Sequence, residues 1–217
     1  NPDDSTIYYN LAQCYARMGQ KGQAKAAYQK AKQLQELQQE LSETQAYLEK
    51  HPNESKGYLY LGDLYVRYNK TELAQKSYEK ALQVSADFLP AYSRLADFYI
   101  QQKLLHKATK VYQKAIEHFP KAIEIRVMLG LLHKEQKNFE VASKHLKIAE
   151  KTATDRVEAR GQAEDVEQLS FVYYAQGRYD EAESLLVSLL NSEPENKKYL
   201  DQLKTVRSAN TQPKDID

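Results

Sequence analysis

Tyr58-Leu59-Tyr60-Leu61-Gly62-Asp63-Leu64-Tyr65, followed by Ala74, Tyr78 and Ala81, is the stretch that decides the fold. Tyr58, Leu61, Gly62 and Tyr65 recur at spacings of three and four, as do Ala74, Tyr78 and Ala81. Such spacing puts each set on one face of an α-helix. Between the two sets lies Asn69, which tolerates the left-handed backbone of a tight turn. The stretch therefore reads as two amphipathic helices joined by a short turn. Small residues such as Gly62 and Ala74 let the helices approach, and the tyrosines fill the space around them.

The spacing returns along the chain. A step of 34 residues gives Tyr92, Leu95, Ala96 and Tyr99, then Ala108, Tyr112, Ala115 and Pro120. Another step gives Arg126, Leu129, Gly130 and His133, then Ala142, Leu146 and Ala149. Upstream, Tyr8, Leu11, Ala12, Tyr15, Gly19, Ala24, Tyr28 and Ala31 keep the internal pattern. Downstream, so do Val166, Leu169, Ser170, Tyr173, Gly177, Ala182, Leu186, Leu189 and Pro194. Self-similarity at a fixed period marks an array in which each helix pair buries its apolar faces against its neighbours.

The pattern resembles the tetratricopeptide repeat. That family carries an aromatic at position 4, Leu at 7, a small residue at 8 and Tyr at 11. It then has Ala at 20, an aromatic at 24, Ala at 27 and Pro at 32. The resemblance covers five repeats: 5–38, 55–88, 89–122, 123–156 and 163–196. It implies an all-α fold, a right-handed α-solenoid of helix-turn-helix units. Lys197 to Arg207 reads as a C-terminal capping helix, with Tyr199, Leu200, Leu203 and Val206 on one face. Residues 208–217 read as a polar, disordered tail. The first unit, 1–38, includes at 1–4 the end of a preceding repeat, because Pro2 falls at position 32. The expectation is a larger parent protein with a further repeat upstream. Turn position 15 is Gly19, Asn69 and Gly177 in repeats 1, 2 and 5. Lys103 and Lys137 hold it in repeats 3 and 4, where the turns are expected to close without a left-handed residue.

Two interruptions break the period. Residues 39–54 are inserted between repeats 1 and 2, and no Gly or Pro occurs from Gln23 to His51. Leu34, Leu37, Leu41 and Leu48 keep a heptad-like spacing there. The preferred reading extends the second helix of repeat 1 through the insert. The other reading breaks it at Ser42, where Ser42-Glu43-Thr44-Gln45 could form a capping box. A long helix implies that repeat 1 does not stack normally on repeat 2, leaving the leucine stripe to be covered. The second interruption, Asp155 to Arg160, reads as a longer loop or extra helical turn without function.

Composition narrows the function. The 31 Lys+Arg and 30 Asp+Glu leave a net charge of +1, with no general attraction to nucleic acid or anionic lipid. Apolar runs fall far short of the roughly 20 residues needed to cross a bilayer. A single cysteine, Cys14, excludes an intrachain disulfide and a Cys-built zinc site, and its position 10 reads as a small packed residue. The five histidines form no His-Glu-x-x-His motif, and His133, at the Tyr position 11, reads as a packed ring. Phosphate-binding loops and nucleophile elbows are absent. The chain is therefore expected to be no enzyme and to hold no cofactor or metal. Tyrosine is abundant, with 17 Tyr against 5 Phe and no Trp, and ten of the tyrosines fall at positions 4, 11 or 24.

The resemblance implies that partners bind on a concave surface lined by positions 2, 5, 6, 9, 12 and 13 of each first helix. The residues placed there are Tyr9 and Gln13; Tyr60, Asp63 and Arg67; Arg94 and Asp97; Val127, Leu131 and Lys134; and Phe171 and Tyr174. Leu131, Phe171 and Tyr174 are the expected apolar anchors. The family's carboxylate clamp and asparagine ladder are not matched. The reading is a scaffold for a protein or peptide partner. Alternatives are assembly through repeat 1 and the Leu34–Leu48 stripe, or a recruiting arm of an enzyme whose catalytic domain lies elsewhere.

Overall fold

The computed structural model describes residues 4–211. Among these it contains eleven α-helices and no strand. The Pro2 reading and residues 212–217 of the expected tail lie outside the described residues. The chain divides into two compact units, Asn1–Phe98 and Tyr99–Asp217.

The first unit contains α1 (Ser5–Arg17), α2 (Lys21–Lys50), α3 (Ser55–Arg67), α4 (Thr71–Val84) and most of α5 (Leu89–Gln101). Asp4 caps α1 by accepting the Thr6 N–H at 2.9 Å, satisfying one of the orphan donors of a helix start. With no Gly or Pro to stop it, α2 runs unbroken for 30 residues, about 45 Å of rise. Ser42 caps nothing, and the Thr44 hydroxyl instead donates to the Glu40 carbonyl one turn back. The first half of α2 buries Ala24, Ala27 and Ala31 where α1 packs on it. The second half lies along α3. Gln45 Nε2 donates to the Tyr65 hydroxyl at 2.9 Å. Leu48 covers Gly57, where an added Cβ would stand 2.7 Å from Leu48 Cδ2. Gly62 serves the same purpose between α3 and α4, since its Cβ would fall 2.4 Å from Tyr78 Cε1.

The leucine stripe on α2, expected to be covered by another repeat, a neighbouring chain or a ligand, lies partly within the chain's own core. Leu34 and Leu48 are buried, and Leu37 and Leu41 are half-buried, so of the expected covers it is the next repeat, through α3, that lies along the second half of the stripe. Cys14 and Tyr28 are corrected. Both were read as packing residues, and both are exposed. Among the described residues, no helix lies over the outer side of α1.

The second unit contains the end of α5 and then α6 (Leu105–His118), α7 (Ile123–Glu135), α8 (Phe139–Arg160), α9 (Ala163–Gln176), α10 (Tyr179–Ser192) and α11 (Lys197–Asn210). Ile123, Val127, Leu146, Leu169 and Val172 form one apolar cluster between α7, α8 and α9. The residues around Asp155 to Arg160 extend α8 rather than forming a loop. Their arginines stitch the unit: Arg156 donates to the Lys121 carbonyl at 2.8 Å and to Gln168 at 3.0 Å. Arg160 donates at 2.6 Å to Asp165, which is 2% exposed. At the other end, α11 continues to Asn210, so Ser208, Ala209 and Asn210 are helical and not part of a tail.

The hairpin turns overrule one expectation. Lys103 and Lys137 are left-handed, with φ of 58° and 59°, matching Asn69 at 54°. In each turn an N–H reaches back to the carbonyl of position 11, Leu104 to Tyr99 at 2.8 Å and Asn138 to His133 at 2.8 Å. That closure requires a left-handed residue at position 15, and helix packing offsets the roughly 1–2 kcal/mol a side chain costs there.

Candidate functional site

Between α9, α10 and α11 lies a cleft of about 460 Å³. Phe171 and Tyr174 of α9 form one wall, with Leu186 of α10 and Val206 of α11 at its base. Leu186 and Val206 are buried, while Phe171 and Tyr174 are half-buried. Each of these aromatics thus has one side packed and one side open. On the other wall, Lys198, Asp201, Gln202 and Thr205 of α11 supply the polar rim. Apolar floor plus a few placed polar groups is the usual composition of a recognition cleft.

Glu167 organises that rim. It accepts from Lys198 Nζ at 2.7 Å and from Gln202 Nε2 at 2.7 Å. The Glu167 hydrogen bond is the main cause that raises the Lys198 pKa above the ordinary lysine value, so the ammonium stays charged. With its amide nitrogen held by Glu167, Gln202 leaves Oε1 buried and without a hydrogen-bond partner among the described residues. An unsatisfied buried acceptor costs about 1–3 kcal/mol. A second cleft of about 530 Å³ opens beside the first, and Tyr174 and Thr205 border both.

The other sequence-predicted residues do not converge on one place. In the first unit, Arg67 Nη2 and the Tyr60 hydroxyl both donate to Glu40 of the long α2, at 2.6 and 3.2 Å. The Asp63 carboxylate accepts from the Tyr78 hydroxyl at 2.7 Å and stands 3.7 Å from Arg94 Nε. Burial, then the hydrogen bond to Asp63, raises the Tyr78 pKa well above its ordinary value, so the phenol keeps its proton and donates. Asp97 is half-buried on α5. Tyr9 meets Tyr28 edge to face at 5.6 Å, and Gln13 is half-buried beside it on α1.

In the second unit, Val127 is corrected outright. It is 0% exposed and sits inside the apolar cluster that α7, α8 and α9 share. Leu131 packs against the same cluster and lines no part of the α9–α11 cleft. Lys134 is exposed and borders a separate groove with Phe139 and Arg178. Phe171 and Tyr174 are the predicted anchors that the cleft does contain.

The comparisons with known proteins bear on this architecture. A tetratricopeptide-repeat family model matches residues 5–36, 55–88 and 89–121, and a second model of the same repeat matches 167–190. The chain belongs to the tetratricopeptide-repeat family. Its fold is an all-α helical-repeat solenoid. Among solved structures, a thermophilic tetratricopeptide-repeat protein of Thermus thermophilus superposes with a TM-score of 0.52 at 15% identity, covering 94% of this chain and 99% of the other. A tetratricopeptide-repeat protein of Parabacteroides merdae gives 0.51 at 16% identity, covering 94% and 73%. At such identities the likeness concerns the fold alone. No curated protein sequence matches this chain.

Family membership also explains what the sequence reading missed. Lys198, Asp201, Gln202 and Thr205 lie on α11, which was read only as a cap. A tetratricopeptide step of 34 from residue 163 begins a sixth first helix at Lys197. The four residues then fall at positions 2, 5, 6 and 9, the positions used for groove residues elsewhere. The signal was present but lacked the Gly and Ala landmarks of a complete repeat.

Proposed function

We propose that this chain is a non-catalytic protein-interaction scaffold that docks a partner peptide in the α9–α11 cleft. Family membership supports the general role of scaffold. The half-buried Phe171 and Tyr174, open to the cleft over the buried Leu186 and Val206, carry the finer reading. An apolar side chain of the partner enters between Phe171 and Tyr174, over Leu186 and Val206. Lys198 and Asp201 stand at the rim with opposite charges and set the direction of the peptide. Half-buried aromatics flanking a desolvated pocket are the residue types that dominate binding energy.

Peptide display against the purified chain tests the proposal. Selected peptides are expected to share an apolar anchor. Tyr174→Ala is expected to weaken them by about 30-fold, the equivalent of about 2 kcal/mol. Thr205→Arg, an exposed rim change, is expected to block the cleft without altering thermal stability. Peptides that bind both variants as tightly as wild type would place the docking surface elsewhere.

A further inference from the structure

A groove of about 370 Å³ opens between α8 and the C-terminal ends of α7 and α9. Its long wall is α8, the second helix of repeat 4, so it is distinct from a surface lined by first helices alone. Ala142, Leu146 and Ala175 are buried and form its floor. Phe139 lines it too and is 63% exposed. Chain ends do not create this exposure, since α6 packs on α7 and α10 packs on α9. Glu150 is the one carboxylate on the lining among the described residues, and it is engaged. Arg178 Nη1 and Gln176 Nε2 donate to it at 2.5 and 2.8 Å. Lys134 and Lys147 also line the groove and are exposed. Neither has a hydrogen bond or ion pair among the described residues, whereas Lys144 on the same helix is held by Glu140 at 2.7 Å. Repeat 4 alone puts a cation at both positions, 12 and 25. The other repeats have Ala16 and Gln29, Val66 and Glu79, Ile100 and Gln113, and Tyr174 and Val187 there.

We infer that this groove docks an acidic segment of a partner protein. One apolar side chain of that segment sits on the floor against Phe139, and carboxylates flanking it meet Lys134 and Lys147. Charge complementarity selects this occupant. With Glu150 neutralised by Arg178, the lining keeps two uncompensated positive charges, one on α7 and one on α8. A carboxylate gains a charge-assisted hydrogen bond from each, whereas a basic segment would be repelled. A phosphate backbone would also bring anions, but it has no apolar side chain for the floor. The net charge of +1 likewise gives nucleic acid no general attraction. The volume is at the low end for recognition pockets, so it takes a single anchor rather than the row of anchors on an amphipathic helix. Exposed ammonium groups make the contact salt-sensitive. The groove shares no lining residue with the α9–α11 cleft, so one chain offers two docking places of different chemistry.

Fluorescence anisotropy of the 217-residue chain with short labelled peptides tests the inference. The probe carries one leucine or phenylalanine flanked on both sides by glutamates. It is expected to bind, and to bind more weakly as salt is raised. The same peptide with lysines for glutamates is expected not to bind, and alanine in place of its apolar residue is expected to weaken it by more than about tenfold. Lys134→Glu/Lys147→Glu is expected to weaken the probe by more than about tenfold, with helical circular dichroism unchanged because both side chains are exposed. Phe139→Ala is expected to weaken it by about fivefold. Tyr174→Ala, in the α9–α11 cleft, is expected to leave it unchanged, so the two proposals fail separately. The inference is overturned by no binding up to about 1 mM probe, by undiminished binding to the double lysine variant, or by equal binding of the acidic and basic peptides. Loss of the probe in Tyr174→Ala overturns it as well, by moving the acidic peptide to the other cleft. A single-stranded oligonucleotide that binds more tightly than the probe and is lost in the double lysine variant would reassign the groove to nucleic acid.

Discussion

The first and last helices hold the same repeat positions in opposite circumstances. Positions 7 and 10 are Leu11 and Cys14 on α1, both exposed, and Leu203 and Val206 on α11, both buried. On α11 the uncovered side is polar. On α1 it is apolar. A repeat position therefore does not carry burial by itself. Burial comes from the neighbour that supplies the other face, as expected for arrays stabilised by nearest-neighbour interfaces.

The sharpest way to break this comparison is to truncate both leucines. Leu203→Ala is expected to cost about 3 kcal/mol, read as a lower urea midpoint. Leu11→Ala is expected to cost less than about 0.5 kcal/mol. Equal losses would mean that position outweighs neighbour.

Position 3 sharpens it further. It is apolar at Ile7 and Tyr199 but is the buried Asp165 on α9, whose partner Arg160 comes from the lengthened α8. Arg160→Ala is expected to cost about 2 kcal/mol by leaving a buried carboxylate unpaired, and Asp165→Ala/Arg160→Ala is expected to recover part of that loss. A double variant no more stable than Arg160→Ala would show that the pairing is not what Asp165 needs.

Position 11 is Tyr15 on α1 and His133 on α7. His133 is buried and stacks on His145 at 5.7 Å with rings 4° from parallel. Burial, then the charges of His133 and Arg126, lower the His145 pKa below its ordinary 6.5. The unfolded chain therefore binds the proton more tightly than the folded one. The stability contributed by neutral His145 is fully present above about pH 6.5 and is lost as pH falls toward the lowered folded pKa. Thermal melts are expected to show this acid sensitivity, and His145→Leu is expected to flatten it. Unchanged acid sensitivity in that variant would assign the effect to other groups.

A pair of small effects of opposite sign lies at position 15. Lys137→Gly is expected to stabilise the chain by about 0.5–1 kcal/mol by relieving a left-handed lysine, whereas Gly19→Ala is expected to destabilise it. Calorimetry on the two variants checks the pair of signs.

The fold class and family were legible because the 3.6-residue period runs from Tyr8 to Leu189 and the 34-residue step holds across repeats 2 to 4. The Lys103 and Lys137 turns were misread because residue preference is a weak signal beside hairpin closure. Val127 was misread because it is enclosed by a cluster that α8 and α9 both build, and a repeat position alone does not show such a neighbour. The cleft was half legible. Phe171 and Tyr174 stand at groove positions, but Gln202 becomes informative only when Glu167 is seen to hold its amide nitrogen and strand its oxygen.

The long α2 carries a consequence of phase. Its stretch to residue 31 is buried along Ala24, Ala27 and Ala31, and the remainder along Leu34 and Leu48. At 100° per residue these two buried lines differ by about 75° around the helix axis. One rigid rod thus faces α1 in one direction and α3 in another. Loss of a single residue from its middle would swing everything before it through about 100° and shift it by about 1.5 Å. Insert length is therefore a setting of angle as much as of distance, and neighbouring lengths would aim the exposed side of α1 in quite different directions.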